Sequence, residues 1–249
     1  MRIFDHAEML ELETLLANGP GFIHPVIVWD KQEVVLFDAG LPGMGAKFRE
    51  AAADSGVPFE RLSKILITHS DMDHIGSLSQ MIREAGTEIT LMAHKEEKPY
   101  IECDLPNIRL KQMEASVSTV TGVMREQLIS MTENLRKNYR LFKATVDKTV
   151  EDGEVLPFCG GITCIHTPGH TPGHMCYYLE ELKLLIAGDI LQVADGTLVK
   201  CPDFTTLDKD AVIASLKKLS RYEIESVVCY HGGLFRGDAS KRIAEITGG

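Results

Sequence analysis

The sequence has no apolar run long enough to span a bilayer, and its opening stretch, MRIFDHAEMLELE, lacks the basic-then-apolar pattern of an export signal. Those absences lead us to expect a cytoplasmic protein with no membrane partner. An excess of basic residues is missing too: 26 Lys and Arg stand against 36 Asp and Glu, a net charge of −10 with histidine neutral. An acidic surface repels phosphate backbones, so nucleic acid is not expected as a partner. None of the six cysteines forms a CxxC pair, and most sit in strand-like runs such as SVVCY. They read as small buried apolar residues in a reducing compartment rather than as disulfides or ligands. There is no internal repeat and no low-complexity linker. What remains is 249 residues, 44% apolar and 25% charged, the balance of a soluble chain with ample material for a core.

Along the chain, FIHPVIVWD and EVVLFDAG are β-branched runs separated by Asp30, Lys31 and Gln32, the pattern of a hairpin. GMGAKFREAAADSG has a helical period. LSKILITHS is a strand running into a loop, and a helix opening at Asp73 or His74 is predicted through Gly76 to Arg83. EITLMAH is a strand, and HKEEKPYIE a short helix or turn. Residues 107–143 contain no proline and one glycine, Gly122, with apolar residues at steps mainly of three and four from Leu110 to Phe142. This segment reads equally as one helix or two, and as a lid, a packed pair or a dimer surface. Strands return in GEVLPFCGGITCIHTPGH, and MCYYLEELKLLIAGDI reads as a hairpin around Glu180-Glu181. ADGTLVKCPDF reads as a loop, and LDKDAVIASLKKLSRYE as an amphipathic helix with Asp208 near its start. SVVCYHGG is a last strand and GDASKRIAEITGG a last helix. Strands interleaved with helices in two halves imply an α/β fold with sheets packed between helices.

The chemistry is concentrated in THSDMDHIGSL, where His69, Asp71, Asp73 and His74 leave the end of the apolar strand KILIT. In extended chain alternate side chains share a face, so His69 and Asp71 reach one point together. Asp73 and His74 lie past the bend and serve a second point nearby, as a two-metal site requires. A capping loop with Asp73 as an N-cap is the plainer alternative. Three later features favour the metal: HTPGHTPGH after a strand, Asp189 after LKLLIAG, and His231 after SVVCY, each a metal-competent residue at a strand end.

With these motifs, the chain resembles the metallo-β-lactamase-fold superfamily, whose signature is His-x-His-x-Asp-His, a Pro-Gly-His turn, a Gly-Asp pair and a final His. The resemblance runs from VVLFDAG to CYHGG. It implies a single domain over 1–249, an αββα sandwich with the metals at one edge and a helical insertion at about 107–143. It also implies that His69, His170 and Asp71 bind a first metal, that Asp73, His74 and His231 bind a second, and that Asp189 bridges them. His166 and His174 then serve structural or supporting roles, and Asp38 matches a recurrent position beside the metals. His24 and His94 fit no ligand position and read as loop or packing histidines, with His24 also placed to line the pocket.

Asp71 is a departure, because the family has His there. Three carboxylates against two divalent ions and a bridging hydroxide leave the cluster about neutral, where His would leave it one unit positive. That count predicts a weaker Lewis acid, less attraction for phosphate, and a tilt from zinc towards iron or manganese. A lactonase-type Tyr three residues after the bridging Asp is replaced by Gln192. The expectation is a dinuclear hydrolase, most readily with two zinc ions, in which a bridging hydroxide held by Asp189 and Asp73 attacks a small ester, thioester or lactone. Asp73 or a bound water would then protonate the leaving group. No basic glutathione-binding cluster is evident near the end of the chain. The alternatives are a diiron redox protein like the flavodiiron branch, and a phosphodiesterase; β-lactams are not expected as substrates. The partner is a small molecule, with a homodimer possible through the helical segment.

Overall fold

Apolar β-branched runs pair into two sheets in the computed structural model, which describes residues 1–16 and 19–248. The first half of the chain supplies β1 (Arg2–Phe4), β2 (Ala7–Met9), β3 (Leu12–Leu16), β4 (Gly19–Ile23), β5 (Val26–Trp29), β6 (Val34–Phe37), β7 (Leu62–Leu66), β8 (Thr90–His94) and β9 (Lys148–Val150). Its helices are α1 (Gly45–Asp54), α2 (Met72–Ile75), α3 (Leu78–Glu84), α4 (Lys98–Ile101), α5 (Arg109–Val117) and α6 (Gly122–Asn138). The second half supplies β10 (Val155–Leu156), β11 (Ile162–His166), β12 (Met175–Leu179), β13 (Leu184–Ile186), β14 (Leu191–Ala194), β15 (Thr197–Lys200), β16 (Ser226–Cys229) and β17 (Gly233–Arg236), with α7 (Lys209–Leu219) and α8 (Ala239–Ile246). One sheet has the order β1-β2-β5-β6-β7-β8-β9 and the other β10-β11-β12-β13-β16-β17, while β3-β4 and β14-β15 stand apart as hairpins.

Both sheets are covered on both faces, which is why their strands read as continuous apolar runs. In β6, Val35 and Phe37 face the other sheet, while Val34 and Leu36 face the helices. In β12, Met175, Tyr177 and Leu179 meet β6 and its neighbours, while Cys176 and Tyr178 point to the opposite side. Phe48 and Ala52 of α1 and Leu78 and Met81 of α3 close the first outer layer, and Val212, Leu216 and Ile243 of α7 and α8 close the second. The result is an αββα sandwich. All six cysteines are free, and Cys164, Cys176, Cys201 and Cys229 are buried.

Strand direction positions the site. β6 and β7 run parallel, as do β13 and β16. Their C-terminal ends therefore share an edge, and the loops leaving them carry Asp38, His69, Asp189 and His231.

Three local expectations meet a different outcome. ADGTLVKCPDF is not a loop: β14 and β15 pair across Asp195-Gly196, both at positive φ (50° and 70°), the geometry of a two-residue hairpin turn. SVVCYHGG is not the last strand, because β17 folds back on it with Cys229 opposite Gly233. The helix predicted from 73 to 83 breaks into α2 and α3. Gly76 lies against Pro42, where a Cβ would come 2.4 Å from the ring, and the Ser77 hydroxyl donates to Leu41 O and accepts from Met44 N–H. Residues 107–143, read equally as one helix or two, form two, α5 and α6, and Thr132 alone is buried in α6. Its apolar residues, including Val123 and Met124, stay largely exposed instead of joining the core.

Phe48→Ala should therefore cost about 3–5 kcal/mol in urea unfolding. Val123→Ala on α6 should stay within about 0.5 kcal/mol. Comparable losses at both positions would contradict this division between core and periphery.

Candidate metal centre

The centre begins with a strained turn. Asp38 follows β6 with φ 62°, an uncommon conformation for a residue with a Cβ. Its buried carboxylate accepts from the Thr68 backbone N–H (2.8 Å) and hydroxyl (2.8 Å), and from His74 Nδ1 (2.9 Å). Using Nδ1 in this way aims His74 Nε2 into the cleft. His69 is held likewise, its Nδ1 3.0 Å from the Thr68 hydroxyl. Tyr230 stacks on the His74 ring at 3.9 Å and donates its hydroxyl to Asp73 O at 2.6 Å.

The partner loops bring the remaining groups. Gly188 (φ 51°) lets the Gly-Asp turn approach so closely that a Cβ there would sit 2.7 Å from His174 Nε2. That nitrogen accepts from the Asp189 backbone N–H at 3.1 Å, and His174 Nδ1 lies 2.9 Å from the Thr167 hydroxyl. His174 thus positions Asp189 and stands behind the donor groups. His166 stacks on His94 at 4.1 Å and bonds Pro172 O, away from the cleft. His24 bonds Tyr230 O and lies against Gly233.

Two donor groups result. Asp73, His74, Asp189 and His231 form one, His69, His170 and Asp189 the other; within each, the donor atoms all lie within 4.8 Å. Asp189 belongs to both. His74 Nε2 is 3.3 Å from Asp189 Oδ1, and His231 Nε2 is 3.2 Å from Asp73 Oδ2 and 3.3 Å from Asp189 Oδ2. Donors about 2.0–2.1 Å from a tetrahedral ion lie about 3.3–3.4 Å apart, so these spacings suit one. His69 Nε2, His74 Nε2 and Asp189 Oδ1 are buried with no hydrogen-bond partner among the described residues. Orphaned acceptors converging from rigid loops are what an ion would satisfy, and the residues fit the group.

Charge is balanced by protons where no ion is bound. Burial opposes a charge on His74, yet Asp189, Asp38 and Asp73 raise it well above the usual imidazole value. Against the same burial, Asp189 and Asp73 push His231 up to about 10, and hydrogen bonds led by Asp71 push His170 up to about 9. Burial favours neutral Asp189, but His231 and His74 hold it well below the carboxylate range. His69 and His174 are lowered, chiefly by burial. Metal binding here must displace protons.

Asp71 lies outside both groups. Its Oδ2 is 3.3 Å from His69 Nε2 and 3.1 Å from His170 Nε2, but its main partner is Arg109, the first residue of α5. Arg109 Nε reaches Asp71 Oδ1 at 2.8 Å, and a terminal nitrogen reaches Oδ2 at 2.6 Å and His170 Nε2 at 2.8 Å. Burial alone would raise Asp71; the guanidinium and His69 hold it well below the carboxylate range. The charge count made from sequence did not include Arg109, which sets a positive charge directly against Asp71. Glu97, fully buried, is a second residue the motifs do not reveal. It accepts from Ser70 N–H (2.8 Å), the Thr171 hydroxyl (2.6 Å) and Gly173 N–H (2.8 Å), tying the two histidine loops together. Neither residue carries a spacing signal: Arg109 is one of several cations in a helical stretch, and Glu97 stands in the polar run HKEEK.

Known proteins place this arrangement in a family. The metallo-beta-lactamase superfamily profile matches residues 18–231. The chain is 29% identical over 212 residues to a probable metallo-hydrolase, YflN, of Bacillus subtilis, covering 80% of this chain and 75% of that protein. It is 24% identical over 157 residues to the hydroxyacylglutathione hydrolase GloC of Haemophilus influenzae, covering 63% and 61%. A metallo-beta-lactamase family protein of Thermus thermophilus superposes with a TM-score of 0.74 at 21% identity, covering 99% of this chain and 80% of that one. With the motif residues gathered at one edge of an αββα sandwich, the chain belongs to the metallo-β-lactamase superfamily.

Proposed function

We propose that this metal-dependent hydrolase carries two divalent ions, zinc foremost, and cleaves an acyl thioester or ester whose acyl group is apolar. The observation that carries the reading is the pair of donor groups sharing Asp189, with spacings that suit tetrahedral ions. When bound, the ions would polarise the acyl carbonyl and make water a nucleophile at neutral pH.

The chain's own residues do the rest. His69 and His74 are fully buried, while the Asp73 and His231 side chains keep 25% and 22% exposure, so substrate approaches from their side. A cleft of about 450 Å³ holds His170, Asp189, His231 and Gln192, with Gly19 and Pro20 of the β3-β4 hairpin, Pro202 and Phe204 at its wall. Beside it lies a cavity of about 700 Å³ whose apolar lining comes from Met113, Met131, Leu135, Leu141 and Phe142. Asp71, Asp73 and Arg109 line both spaces, so a scissile carbonyl in the first leads directly to an apolar tail in the second. Asp73 stands where the bond breaks and can hold the proton that an alkoxide leaving group needs; a thiolate leaves without one. The similarity to GloC, a hydroxyacylglutathione hydrolase, supports the thioester class. A separate cleft of about 610 Å³ at Phe4, Trp29 and Cys159 contains none of these groups.

On zinc-loaded protein, kcat/KM for thioesters of increasing straight acyl chain should climb about three- to fourfold per added CH2, from about 0.8 kcal/mol of burial each, until the cavity fills. A flat profile would remove the apolar cavity from the substrate site. No turnover of any thioester or ester by metal-replete protein would reject the acyl class. Asp189→Asn, which weakens both donor groups at once, should lower bound metal below one ion per chain and cut kcat/KM by at least about 100-fold. Zinc held at about 100 times its Kd should stabilise the apoprotein by about 2.7 kcal/mol in thermal unfolding.

A further inference from the structure

Arg109 makes the two donor groups unequal. Its guanidinium touches only one of them: a terminal nitrogen lies 2.6 Å from Asp71 Oδ2 and 2.8 Å from His170 Nε2. His170 belongs to the His69–His170–Asp189 donor group, and Asp71 Oδ2, outside both groups, lies 3.1 Å from its Nε2. The guanidinium nitrogen already lies 2.8 Å from His170 Nε2, so it stands in the space an ion about 2.0–2.1 Å from that nitrogen would need. The guanidinium is also permanently charged and repels a cation at close range. The group made by Asp73, His74, Asp189 and His231 has no hydrogen bond to Arg109 among the described residues.

We propose that the Arg109 guanidinium and an ion are alternative occupants of the Asp71–His170 corner, so that the Asp73–His74–Asp189–His231 group loads first and the His69–His170–Asp189 group loads only as Arg109 withdraws. This inference rests on the metal-centre reading above. Arg109 is a positioning residue with two places to go. In the first it forks onto Asp71 and is braced by Thr205 O at 2.7 Å and Gln112 Oε1 at 3.0 Å. The second lies in the cavity that Arg109 itself lines, next to Asn107, Asn134 and Asn138, whose amides can receive it.

The test is a cobalt(II) titration of metal-free protein, followed by calorimetry and by visible absorption of the bound ion. The parent should bind one ion tightly and a second at least about tenfold more weakly. Arg109→Gln should bind the second ion at least about tenfold more tightly than the parent does, with the first unchanged. Retention of that first ion reports an intact fold. Arg109→Lys keeps the charge but lacks the planar fork, and should fall between the two; it serves if the glutamine variant does not fold. Two equal sites in the parent, or a second site in either variant no tighter than the parent's, overturns the inference. One tight ion in every protein with an unchanged second site overturns this inference while leaving the metal centre standing. No bound ion in any of them removes both.

Discussion

The carboxylate of Asp189 is the constraint around which the centre is arranged. It is shared by both donor groups, and its neighbours are fitted to hold it still. The Gly188 turn admits it because no Cβ meets His174, and His174 accepts its backbone N–H. The parallel pairing of β13 with β16 places it beside His231. Across the sandwich, Asp38 orients His74 towards the same point. A carboxylate buried this deeply is tolerable only when countercharges converge on it. The sheets, their direction and the positive-φ turns are what make that convergence possible.

Arg109 carries the same logic beyond the motif. A third carboxylate, Asp71, sits where an imidazole would leave the cluster more positive, and its burial requires a compensating cation. The helical segment supplies one from 38 residues away, in a forked pair whose geometry suits guanidinium better than ammonium. The insertion is therefore coupled to the centre by charge as well as by covering it. Its weak attachment to the core follows: α5 and α6 bury little of their own surface, and their apolar side chains line a cavity instead.

Two adjoining spaces meet at the Asp71–Arg109 pair. His170, Asp189 and His231 open onto one beside Pro20 and Phe204, and Met113, Met131, Leu135, Leu141 and Phe142 line the other beside three asparagines. Methionine and leucine side chains are unbranched or flexible enough to adapt their packing around the second space. Glu97 bridges the His69 and His170 loops from behind, so the polar wall stays rigid while the apolar wall belongs to a lightly anchored pair of helices.

Local chemistry determined a great deal by itself. Unbroken apolar runs made β6 and β12 legible as strands. The run at the end of KILIT pointed to metal donors, and His69, Asp73 and His74 do fall in the two donor groups with His170, Asp189 and His231, while Asp71 pairs with Arg109 instead. Even the β14-β15 hairpin was written in Asp195-Gly196, though without its pairing partner the stretch reads as a loop. Only the tertiary structure decided the rest. Gly76 breaks a helix because Pro42 packs on it, Glu97 is buried because two distant loops need an acceptor, and Arg109 reaches Asp71 because α5 happens to start above the metal loop. The physical reason is range: periodicity and turn preference act within a few residues, whereas an ion pair or a close backbone contact depends on where the whole chain path returns.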